Sequence, residues 1–110
     1  MVTTSKMLNL QQQVKDFCQR RQLDAPLEFR MLDLISELGE TAKEILKMSD
    51  YGRRKFQIRP EFSGELGDVF FSLIIVANLC NIDLEEALHQ TVTKYEHRLQ
   101  HKGNPGSESN

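Results

Sequence analysis

Residues 64–80 read GELGDVFFSLIIVANLC, and from Val69 onward only Ser72 and Asn78 interrupt the apolar run. The run is longer than most strands and lacks the alternation of a half-buried strand, so it predicts a helix. A helix that is apolar on all sides belongs in a core. Its first turn nevertheless carries Glu65 and Asp68, three residues apart and therefore on one face. Because burying a carboxylate without a partner costs several kcal/mol, we expect a cationic partner there.

The composition is that of one ordinary globular domain. The chain has 110 residues and a formal net charge of −2, which argues against binding to a nucleic-acid polymer. The apolar run is too short to span a bilayer, so no membrane partner is expected. No segment resembles a signal peptide, and Cys18 and Cys80 read as buried, reduced thiols of a cytoplasmic protein. We expect a single domain over residues 1–110, with residues 102–110 as a flexible tail.

Hydrophobic periodicity predicts three further helices and hence an all-α fold, a four-helix antiparallel bundle. The first helix covers residues 5–21. The second covers residues 26–47, with Asp24 as its N-cap and Pro26 in its first turn. The fourth begins after Asp83, which forms a capping box with Glu86, and continues to about residue 100. The loop over residues 49–63 carries a basic run at residues 53–59, either a solvated connector or a segment that faces phosphate.

Two pairs of carboxylates are the candidate chemistry. Glu37 and Glu40 lie three residues apart on the second helix, as Glu65 and Asp68 do on the third. If these helices pack antiparallel, the pairs face each other, and oxygen ligands of this kind suit Mg²⁺ or Mn²⁺ rather than Zn²⁺. Each pair also has a plain structural interpretation. Glu-x-x-Glu is common on exposed helices, and acids favour the first turn of a helix through its dipole.

The fourth helix carries side chains of the opposite sign. Lys94, Tyr95 and Arg98 are close enough along the helix to contact one anionic ligand. Their spacing alone favours the alternative, an ordinary solvated face.

Three segments together resemble the MazG-like nucleotide pyrophosphohydrolases of the all-α nucleoside triphosphate pyrophosphatase superfamily. They are ELGE at 37–40, ELGDV at 65–69 and NIDLEEA at 81–87, and the resemblance covers roughly residues 27–107. It implies that Glu37, Glu40, Glu65 and Asp68 hold Mg²⁺ and that the chain forms a dimer or a dimer of dimers. It also implies hydrolysis of a nucleoside triphosphate between the α- and β-phosphates. Lys94, Tyr95 and Arg98 would then steady the phosphates.

One position departs from the family pattern. Many relatives carry an asparagine one residue after a threonine that aligns with Thr91, and this chain has Val92 there. Valine cannot hydrogen-bond a ligand, which favours a rival interpretation: a non-catalytic helical dimerisation or regulatory module that binds metal or nucleotide. A phosphoribosyl-ATP type of substrate is a third alternative within the same superfamily.

Overall fold

The computed structural model describes residues 5–103, apart from the side chain of Lys102. Within that range the chain forms four helices and no strand, which confirms the all-α prediction. They are α1 (Lys6–Arg20), α2 (Leu27–Met48), α3 (Phe62–Leu79) and α4 (Leu84–Lys102). Gly103 ends α4 in the left-handed conformation, with φ 75°. Residues 104–110 of the predicted tail lie outside the described residues.

The helix ends follow local capping chemistry. Asp83 is the N-cap of α4, as the sequence predicted, and its carboxylate accepts hydrogen bonds from the backbone N–H groups of Glu85 and Glu86. The reciprocal half of the predicted capping box is not formed among the described hydrogen bonds, since the Glu86 carboxylate accepts from Gln90 instead. The predicted cap of α2 is wrong: its N-cap is Pro26, in an extended conformation, rather than Asp24. Proline has a fixed φ and no N–H, so it can stand at the helix start without a side-chain cap.

The pairing of α2 with α3 is the most extensive contact in the chain. The two helices are antiparallel, since Glu37 shares a cavity with Asp68 while Glu44, two turns further along α2, shares another with Glu61. Helix α1 packs on α3, where the rings of Phe17 and Phe71 meet edge to face with centroids 6.0 Å apart. Helix α4 packs mainly on α1.

A buried amide fixes the junction of α1, α3 and α4. Gln11 is only 5 % exposed, and its side-chain nitrogen donates to Asn78 Oδ1 at 3.1 Å and to the carbonyl of Ile82 at 2.8 Å. Its side-chain oxygen accepts from the backbone N–H of Leu84 at 3.0 Å. Asn78 donates in return to the backbone carbonyl of Gln11. All polar atoms of this amide pair therefore have partners, as burial requires.

The core of the single chain is small, and the shape is extended. Its radius of gyration is 17.5 Å, whereas a compact domain of this length would have about 13 Å. Among the apolar residues that recur with helical spacing along α2, Leu34 is buried, but Met31, Leu38 and Ile45 are exposed. A stripe on α4 is exposed as well: Leu88, Val92, Tyr95 and Leu99 have exposed fractions of 64, 52, 41 and 50 %.

The structure changes two expectations from the sequence, one about the length of the apolar helix α3 and one about the burial of the cysteines. At 18 residues α3 is long and apolar enough to cross a membrane, a test that core helices of soluble proteins also pass. It packs between α1 and α2, but within the single chain only Ile74, Ile75 and Ala77 of its residues are buried. The burial on all sides that the sequence led us to expect is therefore not reached in one chain. Cys18 and Cys80 are both free thiols. Cys18 is half-buried, but Cys80 is exposed because it caps α3 beyond the last buried turn, so its predicted burial is wrong.

We expect Gln11→Ala to lower the free energy of unfolding by about 2–4 kcal/mol, because it leaves Oδ1 of Asn78 and the N–H of Leu84 without their partners. Urea denaturation at one fixed protein concentration measures this. Gln13→Ala on the same helix is the matched control, since Gln13 is exposed. Equal stability of the two variants would contradict the structural role of Gln11.

Candidate metal and substrate site

Three carboxylates converge between α2 and α3. One oxygen from each of Glu37, Glu65 and Asp68 lies within 4.8 Å of the other two. Glu37 comes from the middle of α2, and the other two come from the first turns of α3, so the antiparallel pairing brings them together. Glu37 and Glu65 are half-buried, whereas Asp68 is exposed. The buried hydroxyl of Thr41 donates to the backbone carbonyl of Glu37 at 2.8 Å.

The electrostatics of this carboxylate triad (Glu37, Glu65 and Asp68) are unfavourable without a cation. Partial burial raises the pKa of Glu37, and the negative charges of Glu40, Asp68, Glu65 and Asp33 raise it further. Nearby, Arg30 Nη1 lies 3.8 Å from Asp33, and Lys47 Nζ lies 3.5 Å from Glu44.

Within residues 5–103, no lysine or arginine lies within ion-pair distance of the triad itself. The cationic partner that the sequence led us to expect is therefore not a side chain of the described residues. Oxygen ligands that are clustered, partly desolvated and unpaired fit a hard divalent cation such as Mg²⁺ or Mn²⁺.

Glu40, the fourth predicted carboxylate, lies beside the triad rather than within it. Its side chain is exposed, and it is not among the three groups whose oxygens lie within 4.8 Å. Its charge nevertheless contributes to the raised pKa of Glu37.

Cavities flank the triad in both directions along the cleft. One, of about 340 Å³, is lined by Glu37 and Asp68 together with Arg30, Phe71 and Ser72, among others.

The other, of about 220 Å³, is lined by Glu65 together with Glu44 and Arg59, among others. Arg59 comes from the basic run of the loop, so this end of the run reaches the cleft. Arg53, Arg54 and Lys55 are exposed.

The predicted phosphate-binding residues gather on α4. Lys94 Nζ lies 5.0 Å from the centroid of the Tyr95 ring, and Arg98 Cζ lies 5.8 Å from it, so both cations are within cation–π distance of one ring. The groove beside them, of about 920 Å³, is lined by α4 residues between Glu86 and Arg98. The flanking cavities of the triad are lined by α2, the following loop and α3. Three of the four predicted acids thus lie together, and Lys94 and Arg98 line a different cavity from these acids.

Sequence reasoning missed Arg30. One of its terminal nitrogens donates to the backbone carbonyl of Leu23, the other lies near Asp33, and only 17 % of its side chain is exposed. A signal was present, because Arg30 stands seven residues before Glu37. That spacing is two helical turns and places both on the same face of α2.

Comparisons with known proteins agree with this geometry. The profile of the MazG nucleotide pyrophosphohydrolase domain matches residues 27–102. A search of curated proteins finds no match. Among solved structures, the chain is similar to the crystal structure of the Bacillus-conserved MazG protein, a nucleotide pyrophosphohydrolase. The two share 29 % identity at a TM-score of 0.69, over 86 % of this chain and 93 % of the other.

The domain match covers α2, α3 and α4 and therefore includes both acidic motifs and the cationic residues of α4. The structural match extends over most of both chains. The chain therefore belongs to the MazG nucleotide pyrophosphohydrolase family, a family of hydrolases that act on phosphoric anhydrides.

Proposed function

We propose that the protein is a Mg²⁺-dependent nucleoside triphosphate pyrophosphohydrolase. It cleaves an NTP or dNTP between the α- and β-phosphates and releases the monophosphate and pyrophosphate, with Mn²⁺ as a possible substitute for Mg²⁺. The observation that carries the proposal is the triad, whose carboxylates lie together without a protein cation among the described residues. The family supports the general reaction, and the triad supports the metal.

The mechanism assigns roles to the acidic residues. Glu37, Glu65 and Asp68 hold the ion, and Glu40, whose charge already acts on Glu37, is the fourth carboxylate of the set. A divalent ion bound there supplies positive charge against the triphosphate and lowers the pKa of water. One of the motif glutamates accepts the proton of the water that attacks the α-phosphorus. Glu37 and Glu65 are half-buried, which limits the access of other water molecules to the site.

Lys94, Tyr95 and Arg98 bind the phosphates in this proposal. Tyr95 holds both cations against its ring, so the three side chains present one compact positive surface. Helix α4 packs mainly on α1, and the groove beside these residues is lined by α4 alone. We infer from this separation that the positive surface meets the triad of a second copy. An active site therefore takes its acids from one chain and its phosphate-binding residues from another.

Self-association is supported by the apolar surface of the single chain. The exposed apolar stripe of α4 includes Tyr95, which belongs to this positive surface. The exposed apolar residues of α2 lie on the same helix as Glu37. Contiguous apolar patches of this kind mark protein interfaces. A homodimer or a homotetramer would cover both. Free thiols and a nucleotide substrate are consistent with a cytoplasmic location.

We expect Asp68→Asn to lower kcat/KM for pyrophosphate release by at least about 100-fold, because loss of a direct ligand costs a metal site more than the roughly 10- to 100-fold that loss of an outer-shell partner costs. The assay covers a panel of triphosphates, and phosphoribosyl-ATP, with and without Mg²⁺. Asp16→Asn, an exposed change on α1, is the control. Absence of turnover by the unaltered protein on every compound would instead favour the non-catalytic module.

Glu37→Gln should stabilise the metal-free protein, because it removes one of the mutually repelling charges of the triad. The raised pKa of Glu37 means that the folded protein binds this proton more tightly than the unfolded chain does. The free energy of unfolding therefore falls as pH rises from the ordinary glutamate pKa to the raised one. In saturating Mg²⁺ the unaltered protein should instead be the more stable of the two, since its triad binds the ion more tightly.

Urea denaturation in EDTA and in Mg²⁺ measures this reversal. Glu28→Gln, an exposed change on the same helix, should respond to neither condition. If Mg²⁺ stabilises the unaltered protein and Glu37→Gln to the same extent, Glu37 has no role in binding the metal.

Mixed oligomers test the shared site. Asp68→Asn and Lys94→Ala chains should each be inactive alone, and an equal mixture should regain about a quarter of the unaltered activity, because half of the dimers are mixed and each holds one intact site. Native mass spectrometry verifies that subunits exchange. Full exchange without recovered activity would place both residue sets in the same chain.

A further inference from the structure

A further cavity, of about 440 Å³, lies past the Arg30 end of the triad cleft. Its walls are the last turns of α1, the linker between α1 and α2, and the end of α3. Most of the lining is apolar, with a few polar groups at the edge. The residues that the argument uses are Cys18, Gln19, Arg30, Ile75 and Asn78.

Arg30 connects this cavity to the triad cleft, because it lines both. The register of the antiparallel helices gives the same result. Arg30 stands seven residues before Glu37 on α2, and Ile75 stands seven residues after Asp68 on α3. Seven residues of helix span about 10 Å. The cavity is therefore an extension of the same seam, roughly two helical turns from the triad.

We propose that this cavity binds the nucleobase and sugar of the nucleoside triphosphate whose phosphates meet the triad. The proposal rests on the proposed function and adds the location of the substrate's uncharged end. Small-molecule sites are concave, several hundred Å³ in volume and mostly apolar, with a few polar groups that fix orientation. A base has two apolar faces and a polar edge, which matches this lining.

The polar groups divide into fixed and available ones. Both polar atoms of the Asn78 side chain are held by hydrogen bonds with Gln11, so Asn78 is fixed in the wall of the cavity. Arg30 is held by the carbonyl of Leu23 and by Asp33, at the boundary between the two cavities. Gln19 is exposed at the rim, and its amide offers both a donor and an acceptor to a base edge. Lys15 and Asp24 also line the cavity, and their charged groups can contact a base edge as well. Gln19 is the uncharged member of this available set, and we assign the choice of base to it.

The two cysteines provide a direct test, since Cys18 lines the cavity and the exposed Cys80 does not. The rate of alkylation of each thiol is followed by peptide mass spectrometry, with Mg²⁺ and α,β-imido analogues of ATP, GTP, CTP and UTP. At ten times its dissociation constant, an analogue should slow labelling of Cys18 about tenfold and leave Cys80 unchanged. Inorganic tripolyphosphate with Mg²⁺, which has no base, should protect neither thiol.

A pair of variants tests specificity. Gln19→Ala should change the ratio of kcat/KM between the best and the worst base by about tenfold, the effect of one hydrogen bond, and should leave Mg²⁺ affinity unchanged. Gln13→Ala, an exposed glutamine of the same helix, should preserve the ratio. An unchanged ratio in both variants would overturn the role of Gln19.

Calorimetric titration of the same analogues separates the possible failures. Analogues that bind but leave Cys18 labelling unchanged would overturn the cavity proposal while the proposed function stands. Analogues that fail to bind, together with no pyrophosphate release from any triphosphate, would overturn both.

Discussion

Antiparallel pairing of α2 with α3 brings three carboxylates to one point, with no cation of the described chain among them. Partial burial raises the pKa of Glu37, and repulsion from the neighbouring carboxylates raises it further. The pairing persists because the two helices bury Leu34, Ile74 and Ile75 along the rest of their length. Apolar burial along the seam thus holds in place a charge arrangement that would not assemble by itself.

Local signals predicted the helices, the cap at Asp83 and the two acidic motifs, because each depends on neighbours within one or two turns. Asp24 was misassigned as a cap because proline at the helix start needs none. The bonds between Gln11 and Asn78 were missed for a different reason. They join residues 67 positions apart, and no periodicity reports such a contact. The sequence predicted that the acids converge only if α2 and α3 pack antiparallel, and the structure has this packing.

The exposed apolar stripes explain where sequence reasoning about burial failed. Periodicity states which residues share a face, and that part holds for Met31, Leu38 and Ile45 on α2. It does not state whether the face is covered by the same chain or by another one. A chain with a small core and an extended shape leaves those faces open, so folding and assembly are coupled in the function that we propose.

Two regions of different chemistry lie apart along the seam between α2 and α3. Around the triad the groups are charged and repel one another, which favours a divalent ion and the phosphates that it accompanies. About two helical turns away, Ile75 and Leu79 line an apolar cavity, and the bonds of Gln11 to Asn78 hold that end of α3 against α1. Arg30 lies between these regions with its guanidinium fixed by Leu23 and Asp33. In the function that we propose, the ion site can therefore stay unchanged while the rim residues of the cavity alter the choice of base, because among the described lining residues the two cavities share only Arg30.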